Sequence, residues 1–215
     1  MLWEILKAGR TNKSSDLFTR LAARRVATSK RGYIALPHDA GTFNATAKGN
    51  NIIWEYNGER IQGNTCSFNV LRDNGTICLA FDEALEKLEI KNNNALKAGL
   101  SDLGGKITNT LSLYNCRNIT GDLADLGGKI TYYLNLYNCR NISGVYSGIA
   151  YPTTINLSYT GVSAEEMDQS LINLNENMNK KGTFTANGMS RTAASDAAVA
   201  GLISKGWTIT GLTKV

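Results

Sequence analysis

The stretch LSLYNCRNITG, beginning at Leu111, returns as LNLYNCRNISG at Leu134, twenty-three residues later. A repeat this close constrains a fold more than composition does, because equivalent residues in successive copies occupy equivalent places. A weaker copy precedes the pair. Leu88 aligns with Leu111 and Leu134, Ile90 with Leu113 and Leu136, Asn93 with Cys116 and Cys139, and Leu96 with Ile119 and Ile142. A shorter step follows, with Ile155 and Leu157 on the leucine positions and Thr160 on the cysteine position. An L-x-L core with this period predicts one short strand per step, stacked in a parallel sheet with the leucines inward.

If the leucines point inward, the residues between them face solvent on a concave sheet: Lys87, Glu89 and Lys91, then Thr110, Ser112 and Tyr114, then Tyr133, Asn135 and Tyr137, then Thr154, Asn156 and Ser158. Tyrosine offers rigid apolar area with a polar tip, and beside Asn and Arg it suits contact with protein or carbohydrate. The candidate binding face is therefore Lys91, Ser112, Tyr114, Arg117, Tyr133, Asn135, Tyr137, Arg140, Asn156 and Ser158. The competing reading is a polar sheet surface, or a contact inside a larger particle. Cys116 and Cys139 read as a packing slot rather than a disulfide or redox pair, since Asn93 and Thr160 fill the same place in the neighbouring steps.

Before the repeats, from Gly32 to about Phe81, the hydrophobic period is two. YIALP, GTFNATAKG, NIIWEYNG, CSFNVLRDNG and TICLAF are strand candidates, with Asn57-Gly58 and Asn74-Gly75 as hairpin turns and Trp54 as core. After the repeats, AEEMDQSLINLNENM from Ala164 predicts an amphipathic helix. A strand in GTFTANG, a helix over about Thr192 to Lys205 and a strand from Trp207 would close the end of the sheet. The expected fold class is α/β, in three parts: a helical arm over 1–32, a small antiparallel β module over 33–83, and a repeat domain with its cap over 84–215.

The net charge of +5 is concentrated at one end. Residues 1–33 hold Lys7, Arg10, Lys13, Arg20, Arg24, Arg25, Lys30 and Arg31 against Glu4 and Asp16. Two short helices are expected there, and Trp3, Leu6, Arg10, Phe18, Leu21, Arg24 and Arg25 are the candidate assembly contacts. Short isolated helices are marginal in water, so the arm is expected to fold against a partner. Nucleic acid is the weaker choice of partner, because the arm lacks the interleaved aromatics of a single-strand platform.

Catalysis is not expected. His38 has no recurring partner, and no G-x-S-x-G, H-E-x-x-H or phosphate-binding glycine loop is present. With one histidine and no CxxC spacing, neither a metal site nor a cofactor is expected. The start does not read as a signal peptide and no apolar run is long enough to span a membrane, so membrane insertion is not expected.

The motifs LSLYNCRNITGDLADL and LNLYNCRNISG resemble cysteine-containing leucine-rich repeats, and NIIWEY followed by SFNVLRDNGTICLAF resembles PKD-like or immunoglobulin-like modules. The tail TANGMSRTAASDAAVAGLISKGWTITG resembles the closing segment of such proteins in tailed bacteriophages of gut bacteria, and the opening MLWEILKAGRTNKSSDLFTRLAARR resembles leaders of phage minor structural proteins. The resemblance implies a leucine-rich-repeat solenoid behind a PKD-like module. It further implies a non-enzymatic virion protein of tail, baseplate, fibre or head-decoration type, contacting other virion proteins through its arm and compatible with a homo-oligomer such as a trimer. The alternative is a receptor- or glycan-binding adhesion module working through the tyrosine face, in the bacterial cytoplasm or at a cell surface.

Overall fold

The computed structural model describes residues 31–147 and 151–215 of the chain. The basic arm and its candidate contacts Trp3, Leu6, Arg10, Phe18, Leu21, Arg24 and Arg25 lie outside the described residues.

Five strands come first: β1 (Arg31–His38), β2 (Gly41–Tyr56), β3 (Glu59–Gln62), β4 (Thr65–Val70) and β5 (Gly75–Ile90). β1 lies antiparallel to the first half of β5, β2 runs antiparallel to most of β5, and β3 and β4 pair with opposite halves of β2. Alternation drives these pairings. In β4 the pattern puts Cys66, Phe68 and Val70 inside and Thr65, Ser67 and Asn69 outside. Asn57 and Gly58, at φ 49° and 89°, turn β2 into β3, as their sequence predicts. Asn74-Gly75 makes no hairpin, because β4 and β5 each pair with β2 and not with one another.

Parallel strands then extend the same sheet: β6 (Ile107–Ser112), β8 (Tyr133–Asn135), β10 (Thr154–Asn156), β11 (Thr183–Arg191) and β12 (Thr208–Lys214). The sheet has ten strands with the path β12-β11-β10-β8-β6-β5-β2-β3, while β1 joins at β5 and β4 at β2. The 23-residue step appears as register, with Leu88 opposite Leu111 and Leu111 opposite Leu134. Ile155, Phe184 and Ile209 continue that row. On the return side, β7 (Thr120–Asp122) and β9 (Asn141–Ser143) form a two-stranded parallel sheet. Among the described residues there are three α-helices: α1 (Leu100–Leu103), α2 (Ala164–Asn177) and α3 (Asp196–Ser204). The Ser163 side chain caps α2 through the Glu166 amide at 3.2 Å, and Glu166 answers on the Ser163 amide at 2.8 Å, a reciprocal cap written in the sequence S-A-E-E.

This corrects the expected architecture. Among the described residues there is no leucine-rich-repeat solenoid standing behind a separate PKD-like or immunoglobulin-like module; one large mixed sheet contains both sets of strands. The reason is local. Asp82 and Glu83 read as a boundary, yet β5 passes through them, with Glu83 at φ 65° and the pairing resuming at Leu85. GTFNATAKG and NIIWEYNG likewise form one strand, whose register shifts around Asn50 and Asn51, the latter at φ 51°. Residues suited to turns make bulges here instead of reversals.

One continuous core runs under the sheet, from Phe43, Trp54 and Phe81 through Leu88, Leu111 and Leu134 to Phe184 and Trp207. Trp54 is fully buried, and its indole N–H donates to the Gly63 carbonyl at 3.0 Å. His38, also fully buried, sits edge-on to Phe43 with its Nε2 3.0 Å from Asn93 Oδ1.

Candidate functional site

The outward positions of the parallel strands lie in rows that cross the sheet, because the strands are in register. Glu89, Ser112, Asn135, Asn156, Thr185 and Thr210 are successive partners from β5 to β12. A second row, one pleat away, carries Lys87, Thr110, Tyr133, Thr154, Thr183 and Thr208. A third lies just past the strand ends. There the Asn92 amide donates to the Tyr114 carbonyl and the Asn115 amide to the Tyr137 carbonyl, setting Lys91, Tyr114 and Tyr137 side by side.

Those tyrosines stack. The Tyr114 and Tyr137 rings are 4.7 Å apart and 9° from parallel, and Tyr159 meets Tyr137 edge-on at 5.4 Å. The spacing is that of neighbouring strands, so the backbone ladder imposes the stack. Tyr114 and Tyr137 are half-buried and Tyr159 is exposed.

Beside the stack is a groove of about 270 Å³ lined by Glu89, Lys91, Ser112, Tyr114, Tyr133 and Asn135. A second hollow of about 310 Å³ shares Glu89 and Lys91 and continues over Asn44, Ala45, Thr46, Thr65 and Cys66. Glu89 is held between two ammonium groups, Lys87 at 2.8 Å and Lys91 at 3.6 Å. Asn135 donates to the Tyr133 hydroxyl at 2.9 Å and accepts from the Tyr137 amide at 3.1 Å, which ties the groove's floor to both aromatic flanks. Ser112 is different: its hydroxyl is fully buried at the floor and has no hydrogen-bond partner among the described residues. A buried polar group left unpaired is costly and calls for an explanation.

The structure thus brings Lys91, Ser112, Tyr114, Tyr133 and Asn135 into one groove, with Tyr137 stacked at its side and Asn156 on the next strand of the same row. Ser112, Asn135 and Ser158, expected to face solvent, are buried instead; of these the Ser158 hydroxyl accepts from the Asn187 amide at 2.9 Å. Arg117 and Arg140 lie beyond the strand ends, reaching Asn115 at 3.4 Å and Asn138 at 2.8 Å. Those asparagines form a ladder of their own with Asn92, all at positive φ of 55–58°, a conformation Asn tolerates. The candidate binding face omits Glu89, although Glu89 stands among the expected outward residues, and it omits Tyr159 altogether. Strand alternation signals the first; the second stands where the earlier steps carry asparagine, and only its ring contact reveals it.

The cysteine positions are structural. Cys116 and Cys139 are buried free thiols whose Sγ atoms face the Ile90 and Leu113 carbonyls at 3.5 and 2.9 Å. Burial pushes Cys116 up to about 11 and Cys139 up to about 12. Thr160 instead bonds within its own step, its hydroxyl donating to the Leu157 carbonyl at 2.9 Å, and Asn93 accepts from the Ala95 and Leu96 amides, each at 3.1 Å.

The fold and this face together overturn the virion reading. The tail and opening segments resembled phage structural proteins that display a repeat solenoid behind a β module; a mixed sheet stands in place of that solenoid, and the cluster of tyrosines fits a binding surface better than a scaffold. No family profile, no curated protein and no solved structure matches the chain.

Proposed function

We propose that this protein is a non-enzymatic binding module that captures a surface receptor or glycan through the tyrosine-bearing face of its parallel strands. The observation that carries this reading is the Tyr114–Tyr137–Tyr159 cluster beside the groove. Stacked rings lose little side-chain freedom on binding, which makes them efficient contact area, and their hydroxyls supply direction. A mixed sheet of ten strands gives those rings a rigid base. An adhesive role places the chain where such ligands are displayed, at a cell surface.

The test is binding of labelled full-length protein to intact bacterial cells and to an immobilised glycan panel. The double change Tyr114→Ala, Tyr137→Ala should weaken capture by at least about thirtyfold, the scale of a hot-spot loss. The half-exposed rings leave the core untouched, so circular dichroism should stay as in the parent. Unaltered capture by a folded double variant would sink the reading.

A further inference from the structure

The rows described above form a channel over β5, β6 and β8 that crosses the strands instead of following them, and its polar row continues in register through Asn156, Thr185 and Thr210. Its floor is the small polar row through Ser112, Asn135 and Asn156; Tyr133 stands on one side and Tyr114 with Tyr137 on the other. We propose that this channel seats an extended, uncharged oligosaccharide with about one sugar residue per strand, anchored by a sugar hydroxyl on Ser112. The proposal rests on the binding-face reading and names its ligand class.

Three observations support it. The first is spacing. Neighbouring strands lie about 4.7–4.9 Å apart, whereas a peptide advances about 3.2–3.4 Å per residue. A peptide laid across the strands therefore drifts out of step with the row within two or three of them. A pyranose in an extended, equatorially linked chain advances by nearly one strand spacing, so each sugar meets the same row position in turn.

The second is charge. Glu89 is already matched by Lys87 and Lys91. From β6 to β12 the row holds only Ser, Asn and Thr. From β6 onward the row carries no charge and offers hydroxyls and amides that complement a ligand made of hydroxyls, while a phosphate or a nucleic acid would meet only the one excess ammonium of the Lys87–Glu89–Lys91 group at the β5 end.

The third is the orphaned Ser112 hydroxyl, fully buried at the groove floor. A hydroxyl both donates and accepts, and so does a sugar hydroxyl, so a bound sugar satisfies both at once. Tyr114 and Tyr133 flank that point and offer apolar area to the sugar's C–H face.

The experiment is calorimetric titration of the full chain with graded oligomers, one to six residues long, of β-1,4-linked glucose, N-acetylglucosamine, mannose and xylose. At least one series should bind, with affinity climbing at each added residue up to four or more. Ser112→Ala should weaken every length from the dimer upward by about three- to tenfold, the value of one hydrogen bond, without lowering the melting temperature. Thr185→Lys, two strands beyond Asn135, should leave the dimer unaffected and weaken the hexamer.

Equal affinity for dimer and hexamer, or a hexamer indifferent to Thr185→Lys, overturns the channel. If no series binds at millimolar concentration while cell capture still depends on Tyr114 and Tyr137, the saccharide proposal is wrong and the binding-face reading stands. If neither occurs, both are wrong.

Discussion

At the scale of single residues, the molecule sorts its polar groups into satisfied and unsatisfied ones. Asp168 belongs to the first kind. It is only 4% exposed, yet it accepts from the Thr192 amide at 3.0 Å, the Thr192 hydroxyl at 2.6 Å and the Ser195 hydroxyl at 2.5 Å. Burial pushes its carboxyl up, but the bonds from Ser195 and Thr192 outweigh that and hold it below the usual value. Its stabilisation is complete above the unfolded value of about 3.9 and is lost as pH falls through the lower folded one. Thermal melts at pH 7 and pH 3 should therefore differ more in the parent than in Asp168→Asn, because the variant has already lost this contribution. Ser112 belongs to the second kind. Removing its unpaired hydroxyl in Ser112→Ala should stabilise the free protein by about 1 kcal/mol, seen as a melting temperature higher by about 2–4 °C. Groups that cost stability in the empty protein are expected where binding repays them.

At the scale of elements, the row of leucines is what holds the parallel strands together. Leu111 and Leu134 are fully buried and directly opposite one another. Leu111→Ala should cost about 2–5 kcal/mol in urea unfolding, because strands of three to six residues hold their neighbours mainly through this row and cannot close the void. The register shift within β11 poses a different constraint. Gly188 has φ 72°, and a Cβ there would lie 2.5 Å from the Tyr159 ring. Gly188→Ala should thus destabilise by more than about 1 kcal/mol and push Tyr159 off Tyr137, which near-ultraviolet circular dichroism would register. These features differ in how far the sequence shows them. The L-x-L row and the Ser163 cap are visible as period and motif, whereas the Tyr159–Tyr137 contact depends on backbone that breaks the period.

At the scale of the whole molecule, β2 and β5 tie the antiparallel and parallel strands into one body. Residues 31–215 should unfold in one transition, since separating the two sets of strands would break β5 in mid-course and open the shared core. Trp54 reports the antiparallel end and Trp207 the other. Tryptophan emission and far-ultraviolet circular dichroism should give one midpoint in guanidinium chloride; two separated midpoints would show that the sheet comes apart into modules.

The period, the inward leucines, the outward tyrosines and the paired turn at Asn57-Gly58 can be read from the chain alone, because each depends on residues near one another in it. The sequence did not determine where strands end. Asp82-Glu83 and Gly49-Asn50-Asn51 are chemically suited to turns, and only the partners on either side of β2 and β5 decide that the chain bulges and continues. Nor did it determine that Ser112 would lose its water without gaining a partner, or that Tyr159 would close the aromatic cluster. Those outcomes follow from strand register across the sheet, which brings together residues far apart in sequence and which no single stretch encodes.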